Sequence, residues 1–153
     1  MAKKASGKLT AAKSKPSDVH SRTRSDHSAE TAEDYVEAIA EISRAKPECR
    51  ISDLAKYFGV SHVTVHRIIL RLQGEGLVDT QPYRPVVLTR RGADMAARSQ
   101  QRHEIVYQFL LAIGVSAEVA IRDAEGIEHH VSPQTLLRMA AWIAKTSSDL
   151  KRS

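Results

Sequence analysis

A helix-turn-helix pattern is the feature that most constrains how this chain can fold. The first helix of this motif is predicted over 51–58; it is amphipathic and is followed by Gly59, a residue that commonly ends helices. Ser61 is a good N-cap for the next helix, in which apolar residues recur at i, i+3, i+4 and i+7. These residues are Val65, Ile68, Ile69 and Leu72. The spacing predicts two short helices that pack together through a tight turn.

Elements on both sides extend this motif. A helix is predicted over 31–45, where it must stop before Pro47. After the motif, 77–80 and 86–88 are typical of two short strands around a proline-containing turn. Three helices followed by a β-hairpin predict a winged helix-turn-helix domain over residues 30–92.

Residues 93–153 predict a second domain that is entirely helical. Thr89 caps a long helix that enters it, Ser116 caps a second helix, and Ser132-Pro133 opens a third. The predicted fold class is therefore mainly α. Because the apolar stripes of so few helices need a further surface to cover them, we expect a homodimer formed by this second domain.

The N-terminal residues 1–29 are basic and contain almost no large apolar side chain. Seven Lys or Arg against two Asp account for the whole net charge of +5. This composition cannot bury enough surface to offset the entropy of ordering, so we expect a disordered arm. The arm is either a simple solvated tail or an additional attraction for phosphates.

Composition also limits the compartment and the partners. The only cysteine, Cys49, cannot form an internal disulfide, and no apolar run approaches the length of a membrane span. We therefore expect a cytoplasmic protein with no membrane partner. Residues 44–98 hold ten Lys or Arg against five acidic residues, which favours a polyanionic partner.

The face of the third helix opposite its apolar stripe suits double-stranded DNA. Side chains at the start of such a helix reach base edges in the major groove, and basic groups on the helix and the wing meet phosphates. The alternative is a solvated charged face on a small helical domain. Because turn, helix, wing and charge agree, we predict operator contacts by Ser61, His62, Thr64, Arg67, Arg71 and Arg84.

A second motif points to metal chemistry. Glu125, Glu128 and His129 stand at i, i+3 and i+4, on one face of a helix. Two carboxylates one turn apart repel each other, so the arrangement is favourable mainly when a cation lies between them. A solvated acidic face is the commoner explanation for a lone Glu-x-x-Glu, and the motif alone leaves both explanations open.

Further candidate ligands lie elsewhere in the chain. Asp34 and Glu37 form another i, i+3 acidic pair, and His103 lies on the long helix. Asp34 could instead close a capping box with Thr31, while Glu37 and His103 could be ordinary solvated or packed residues. Oxygen ligands with a few imidazoles, and no thiolate near them, suit Mn²⁺ or a similar ion.

Together these motifs resemble the DtxR family of metal-dependent repressors, specifically its manganese-responsive MntR branch, over roughly residues 30–146. The resemblance is carried by residues 33–37, 59–65, 102–104 together with 109–110, and 123–132. It implies a transcriptional repressor, not an enzyme, that controls manganese homeostasis. It also implies a binuclear manganese site, two Mn²⁺ per subunit with Fe²⁺ or other divalent ions as alternatives, at Asp34, Glu37, His103, Glu125, Glu128 and His129.

In a dimer, each subunit contributes one helix that contacts base edges. Ions held between the two domains would fix the distance between these two helices, and an operator with two half-sites requires one particular distance. One rival is a metalloenzyme with a di-iron carboxylate site in a helical bundle. It fits less well because one acidic pair belongs to the helix-turn-helix domain. The other rival is a winged-helix regulator whose DNA binding ignores metal.

Overall fold

The computed structural model describes the backbone of residues 16–150 and the side chains of residues 26–146. This part of the chain contains six helices and one two-stranded sheet, which confirms the mainly helical fold class. No helix within it is long and apolar enough to cross a membrane. The elements are α1 Pro16–Ala45, α2 Ile51–Phe58, α3 His62–Gly74, β1 Val78–Asp79, β2 Val87–Leu88, α4 Arg90–Ala112, α5 Ala117–Ile127 and α6 Pro133–Leu150.

Helix α1 is longer than its apolar pattern predicted. It begins at Pro16 instead of near residue 31. Proline is favoured in the first turn of a helix, where its missing N–H would have no partner, and no glycine or second proline interrupts the run to Ala45. The prediction of a disordered arm is therefore wrong for residues 16–29. Residues 1–15 of the arm lie outside the described part.

The helix-turn-helix forms as the local sequence predicted. Gly59 ends α2 in the left-handed conformation, with φ of 64°, and its N–H donates to the carbonyl of Ala55. Ser61 caps α3, because its hydroxyl accepts the N–H of Thr64 at 3.1 Å. The turn between the two helices is thus set by one residue that tolerates positive φ and one that satisfies a helix N-terminus.

The wing is a short antiparallel hairpin in which Val78 pairs with Leu88 and Asp79 with Val87. Its strands are shorter than the pattern predicted. Helix α4 leaves the hairpin close to the backbone of residue 77: a Cβ added at Gly92 would lie 2.0 Å from the Leu77 carbonyl oxygen. Glycine at this position therefore lets α4 start directly against the wing.

Two apolar cores lie along the chain. The winged-helix unit, formed by α1–α3 and the hairpin, encloses residues that are each at most 2% exposed, namely Val36, Ile39, Leu54, Val65, Ile69, Leu72, Leu77, Val78 and Val86. The helical unit, formed by α4–α6, has a smaller core of Val106, Leu110, Ala120 and Ala124. Helix α4 joins them, since Ala96 packs in the first core. The predicted boundary at residues 92 and 93 falls inside this shared helix.

Candidate metal centre and DNA-binding face

Six predicted metal ligands approach one another where α1 faces α4 and the end of α5. Asp34 and Glu37 lie on α1, His103 lies on α4 and Glu125 lies on α5. Helix α5 ends at Ile127, earlier than predicted, because the chain tightens into a turn in which the N–H of His130 bonds the Ile127 carbonyl at 3.0 Å. Glu128 and His129 therefore project from the turn that follows α5.

The two imidazoles contact carboxylates of this group directly. His103 Nδ1 lies 2.6 Å from Glu128 Oε2 and 3.7 Å from Glu125 Oε1. His129 Nε2 lies 3.4 Å from Asp34 Oδ1 and 3.8 Å from Glu128 Oε1. Glu128 is thus the carboxylate shared by both histidines, and it is only 3% exposed.

Burial and mutual repulsion disfavour the ionised carboxylates of the cluster. Burial raises the pKa of Glu128 to about 7, although His103 beside it acts in the opposite direction. Burial also raises the pKa of Asp34 and of Glu37, and nearby carboxylates raise both further. Burial alone would lower the pKa of His129, but the hydrogen bond to Glu33 and the surrounding carboxylates outweigh it and raise that pKa. The cluster is therefore a place where added positive charge is stabilised.

The donor set fits a divalent cation in its chemistry. Glu37 Oε1 is buried and has no hydrogen-bond partner, so it has a free acceptor site. In the described part of the chain, no group of three or more His, Cys, Asp or Glu side chains is already arranged to hold a metal ion. The histidines lie against carboxylates instead. Cys49 lies in the core of the winged-helix unit, where burial raises its thiol pKa to about 11. The available donors are therefore oxygen and imidazole nitrogen.

An open cleft of about 1040 Å³ reaches this cluster from solvent. Five of the six predicted ligands line it, and Glu128 is the one that lies behind them. The cleft continues along α1 to Glu41, which accepts a 2.9 Å hydrogen bond from the Tyr57 hydroxyl of α2. The cleft thus runs from the helical unit to the C-terminal end of α2, the helix that precedes α3.

Sequence spacing did not single out the residues that surround the candidate ligands. Arg102 donates to Glu33 at 2.6 Å and to the buried Ser99 at 3.1 Å, and Glu33 also lies 2.9 Å from His129. Glu33 and Arg102 are chain neighbours of Asp34 and His103 and belong to the segments that carry the family resemblance, and these two signals could have drawn attention to them. His130 lies apart from this group and contacts Glu30 at 3.3 Å.

The predicted DNA-contact residues occupy the exposed start of α3 and the tip of the wing. The hydroxyls of Ser61 and Thr64 lie 2.9 Å apart within the cap, and both residues are exposed. His62 and Arg67 are exposed on the same helix, and Arg84 is exposed in the hairpin turn, where its N–H donates to the Gln81 carbonyl at 3.0 Å. All five of these predicted residues are therefore accessible to solvent in the winged-helix unit.

Arg71 is the predicted DNA contact that the structure separates from the others. Its guanidinium donates to the Ser28 hydroxyl and, at 3.2 Å, to the Ser28 carbonyl on α1. The side chain is half-buried between the two helices. This guanidinium therefore links α3 to α1, and Arg71 is the predicted DNA contact whose charged group already has partners on another helix.

Two family models cover most of the chain. The DNA-binding domain of the iron-dependent repressors matches residues 27–86, and their metal-binding and dimerisation domain matches residues 89–152. The chain belongs to this DtxR family of repressors. It is therefore a metal-dependent transcriptional repressor and not an enzyme.

Relatives place it in the MntR branch of the family. It is 47% identical over 115 residues to the transcriptional regulator MntR of Escherichia coli O6:H1, covering 75% of this chain and 74% of the relative. It is 36% identical over 120 residues to the regulator MntR of Geobacillus kaustophilus, covering 78% of this chain and 85% of that relative. A solved manganese-dependent transcriptional repressor in complex with manganese has 30% identity and a TM-score of 0.66, with 74% of this chain matched. This chain covers about half (52%) of that structure's length.

Proposed function

We propose that this repressor is activated by Mn²⁺, which Asp34, Glu37, His103, Glu125, Glu128 and His129 hold at the junction of the two units. We further propose two ions per subunit, a homodimer that binds operator DNA in the cytoplasm, and control of manganese-transport genes. The manganese-dependent relative and the donor set described above support the choice of metal.

One observation carries this proposal: ligand candidates from both units meet at the buried Glu128. Its carboxylate contacts His103 of α4 and His129 of the following turn, while His129 also contacts Asp34 of α1. Asp34 and Glu37 move with the winged-helix unit, whereas Glu125 and Glu128 move with α5. A shared ligand cluster therefore restrains the angle between the units.

The chemistry that a bound divalent cation supplies here is positive charge among four carboxylates. The carboxylates of α1 and α5 then no longer repel one another, and their approach restricts α1 relative to α5. In the homodimer this restriction sets the distance between two α3 helices, which must match two operator half-sites. Typical coupling of this kind is about 1–3 kcal/mol, and DNA binding must tighten metal binding by the same factor.

Oxygen donors at Asp34 and Glu125 favour manganese over softer ions. Carboxylate and imidazole donors suit Mn²⁺, whereas thiolate or thioether donors recruit softer metals. Cys49 is buried in the other core, and Met95 and Met139 pack as partly buried core residues. The selectivity of the site thus follows from the donor atoms that the fold brings together.

The test measures fluorescence anisotropy of a labelled operator candidate from a manganese-transporter promoter or from the protein's own promoter. Binding is titrated with chelator, Mn²⁺, Fe²⁺ or Zn²⁺ for the wild type, Glu125→Ala and Glu118→Ala. Glu118 is the matched control because it is an exposed glutamate on the same helix, α5, outside the cleft. We expect tight binding that requires Mn²⁺, is lost in Glu125→Ala and is retained in Glu118→Ala.

Equal DNA binding with chelator and with Mn²⁺ would contradict the metal switch while leaving the winged helix intact. Loss of binding in both glutamate variants would show that general destabilisation, and not ligand removal, explains the effect. Stronger activation by Fe²⁺ than by Mn²⁺ would overturn the choice of metal.

A further inference from the structure

Glu33 is a carboxylate outside the proposed ligand set that contacts both units of the protein. It lies on α1, beside Asp34, and is mostly buried, with 21% of its side chain exposed. Its Oε2 accepts a 2.6 Å hydrogen bond from Arg102 of α4 and lies 2.9 Å from His129 Nδ1. One carboxylate oxygen therefore joins α1, α4 and the turn after α5.

The contact with Glu33 distinguishes the two nitrogens of the His129 ring. An ionised carboxylate can only accept hydrogen bonds, so the hydrogen of the 2.9 Å contact belongs to Nδ1. The lone pair of the neutral ring is then at Nε2. That nitrogen faces Asp34 Oδ1 at 3.4 Å and Glu128 Oε1 at 3.8 Å, on the side of the candidate ligands.

Arg102 holds Glu33 in this position. Its guanidinium bonds both Glu33 and the buried Ser99, so the arginine is fixed at two points on the α1–α4 junction. The guanidinium of Arg102 and the carboxylate of Glu33 form an ion pair at this point, with a charge-assisted hydrogen bond. The Glu33 carboxylate thus makes two contacts within the chain, one with Arg102 and one with His129.

His103 offers an internal comparison. Its Nδ1, and not its Nε2, faces the ligand carboxylates, at 2.6 Å from Glu128 Oε2. Among the described residues, the hydrogen bonds and ion pairs of Glu33 join it to Arg102 and His129, and those of His103 join it to Glu125 and Glu128. Any effect of Glu33 on ring orientation should therefore be confined to His129.

We propose that Glu33 is a positioning residue for the metal site: it holds the Nδ1–H tautomer and the ring orientation of His129, and so directs Nε2 toward the ion. The inference rests on the proposed function, because it concerns a ligand of that site. Groups that orient metal-bound histidines in this way typically change metal affinity roughly 10–100-fold when they are removed.

The experiment compares Glu33→Ala and Glu33→Gln with the wild type and with Glu48→Ala. Glu48 is the matched control, since it also accepts a 2.6 Å bond from an arginine, Arg50, but contacts no histidine. Mn²⁺ affinity is measured without DNA, from the electron paramagnetic resonance signal of free Mn²⁺. The tautomer of His129 is read in the metal-free protein from ¹⁵N chemical shifts at mildly alkaline pH.

We expect Glu33→Ala to lower Mn²⁺ affinity by roughly 10–100-fold and to remove the Nδ1–H preference of His129 but not to change His103. Glu33→Gln should retain part of the Mn²⁺ affinity and part of the Nδ1–H preference of His129, because the amide oxygen still accepts a hydrogen bond. Glu48→Ala should match the wild type.

Unchanged His129 tautomer and affinity in Glu33→Ala would overturn the inference, as would equal losses in Glu48→Ala. These outcomes differ from a failure of the proposed function, in which the wild type itself would bind no Mn²⁺. The nitrogen shifts of the metal-free protein test the Glu33 contact in either case.

Discussion

The two units of this protein differ in the size of the apolar core that each one buries. In the winged-helix unit, large side chains from three helices and the hairpin are fully buried. In the helical unit, the buried residues are few, and two of the four are alanines. Both units expose some large apolar side chains; those of the helical unit include Ile113 52%, Ile121 53%, Leu137 72% and Trp142 53%.

This difference indicates what each unit does. A closed core holds a rigid surface, which suits the presentation of α3 and the wing to DNA. An open apolar face is completed by a second surface, and the family model for residues 89–152 names dimerisation. The cleft with the candidate ligands lies where the closed unit meets the open one, so the following predictions perturb each side and the junction.

The largest expected effect is on the closed core. Ile69→Ala removes a fully buried side chain and should lower the free energy of unfolding by about 2–5 kcal/mol, because a cavity adds to the lost burial. Urea denaturation measures this. Leu70→Ala, at the next position of α3 and 51% exposed, is the control and should change stability by less than about 1 kcal/mol. Equal costs at the two positions would show that the winged-helix core is not closed as described.

Metal binding should stabilise the fold by joining the two units. At a free Mn²⁺ concentration about 100 times the dissociation constant, the free energy of unfolding should rise by about 2.7 kcal/mol for each ion bound. Thermal denaturation with Mn²⁺ or chelator measures the gain. Asp34→Ala in one unit and Glu125→Ala in the other should both remove it, whereas Glu118→Ala should keep it. A gain that survives both ligand substitutions would place the ion elsewhere.

The open face should contribute to self-association more than to folding. Trp142→Ala should weaken the homodimer by about 2 kcal/mol, roughly 30-fold in dissociation constant, since buried aromatic residues dominate interfaces. Analytical ultracentrifugation measures the constant, and circular dichroism checks that the helices persist. Gln134→Ala, an exposed polar position of α6, is the control. Unchanged association in Trp142→Ala would remove this residue from the dimer surface.

The smallest effect concerns pH at the junction. Metal requires Glu128 as the carboxylate, and its pKa without metal is raised to about 7, chiefly by burial. Protons therefore compete increasingly as pH falls through 7, and Mn²⁺ affinity should decrease about tenfold between pH 8 and pH 6. Isothermal titration calorimetry in buffers of different ionisation enthalpy should also show proton release on binding. An affinity that is constant over this range would contradict the pKa assigned to Glu128.

Local patterns were sufficient to predict that each helix and strand exists, although not all of their ends. The spacing of Val65, Ile69 and Leu72 predicted the buried face of α3, and Gly59 and Ser61 predicted the turn that precedes it. These predictions succeeded because helix periodicity and capping depend on residues within a few positions of each other. The start of α1 was missed because the apolar pattern stops before the helix does.

By itself, the sequence determined the helical elements, the ligand types and the family resemblance. Only the tertiary structure decided which side chains meet: Glu33 reaches His129 across 96 positions and Arg102 across 69. It likewise placed the guanidinium of Arg71 against Ser28, 43 positions away. The physical reason is that periodicity specifies which face of a helix a residue occupies, whereas the packing of α1 on α4 and α3 determines what lies opposite that face.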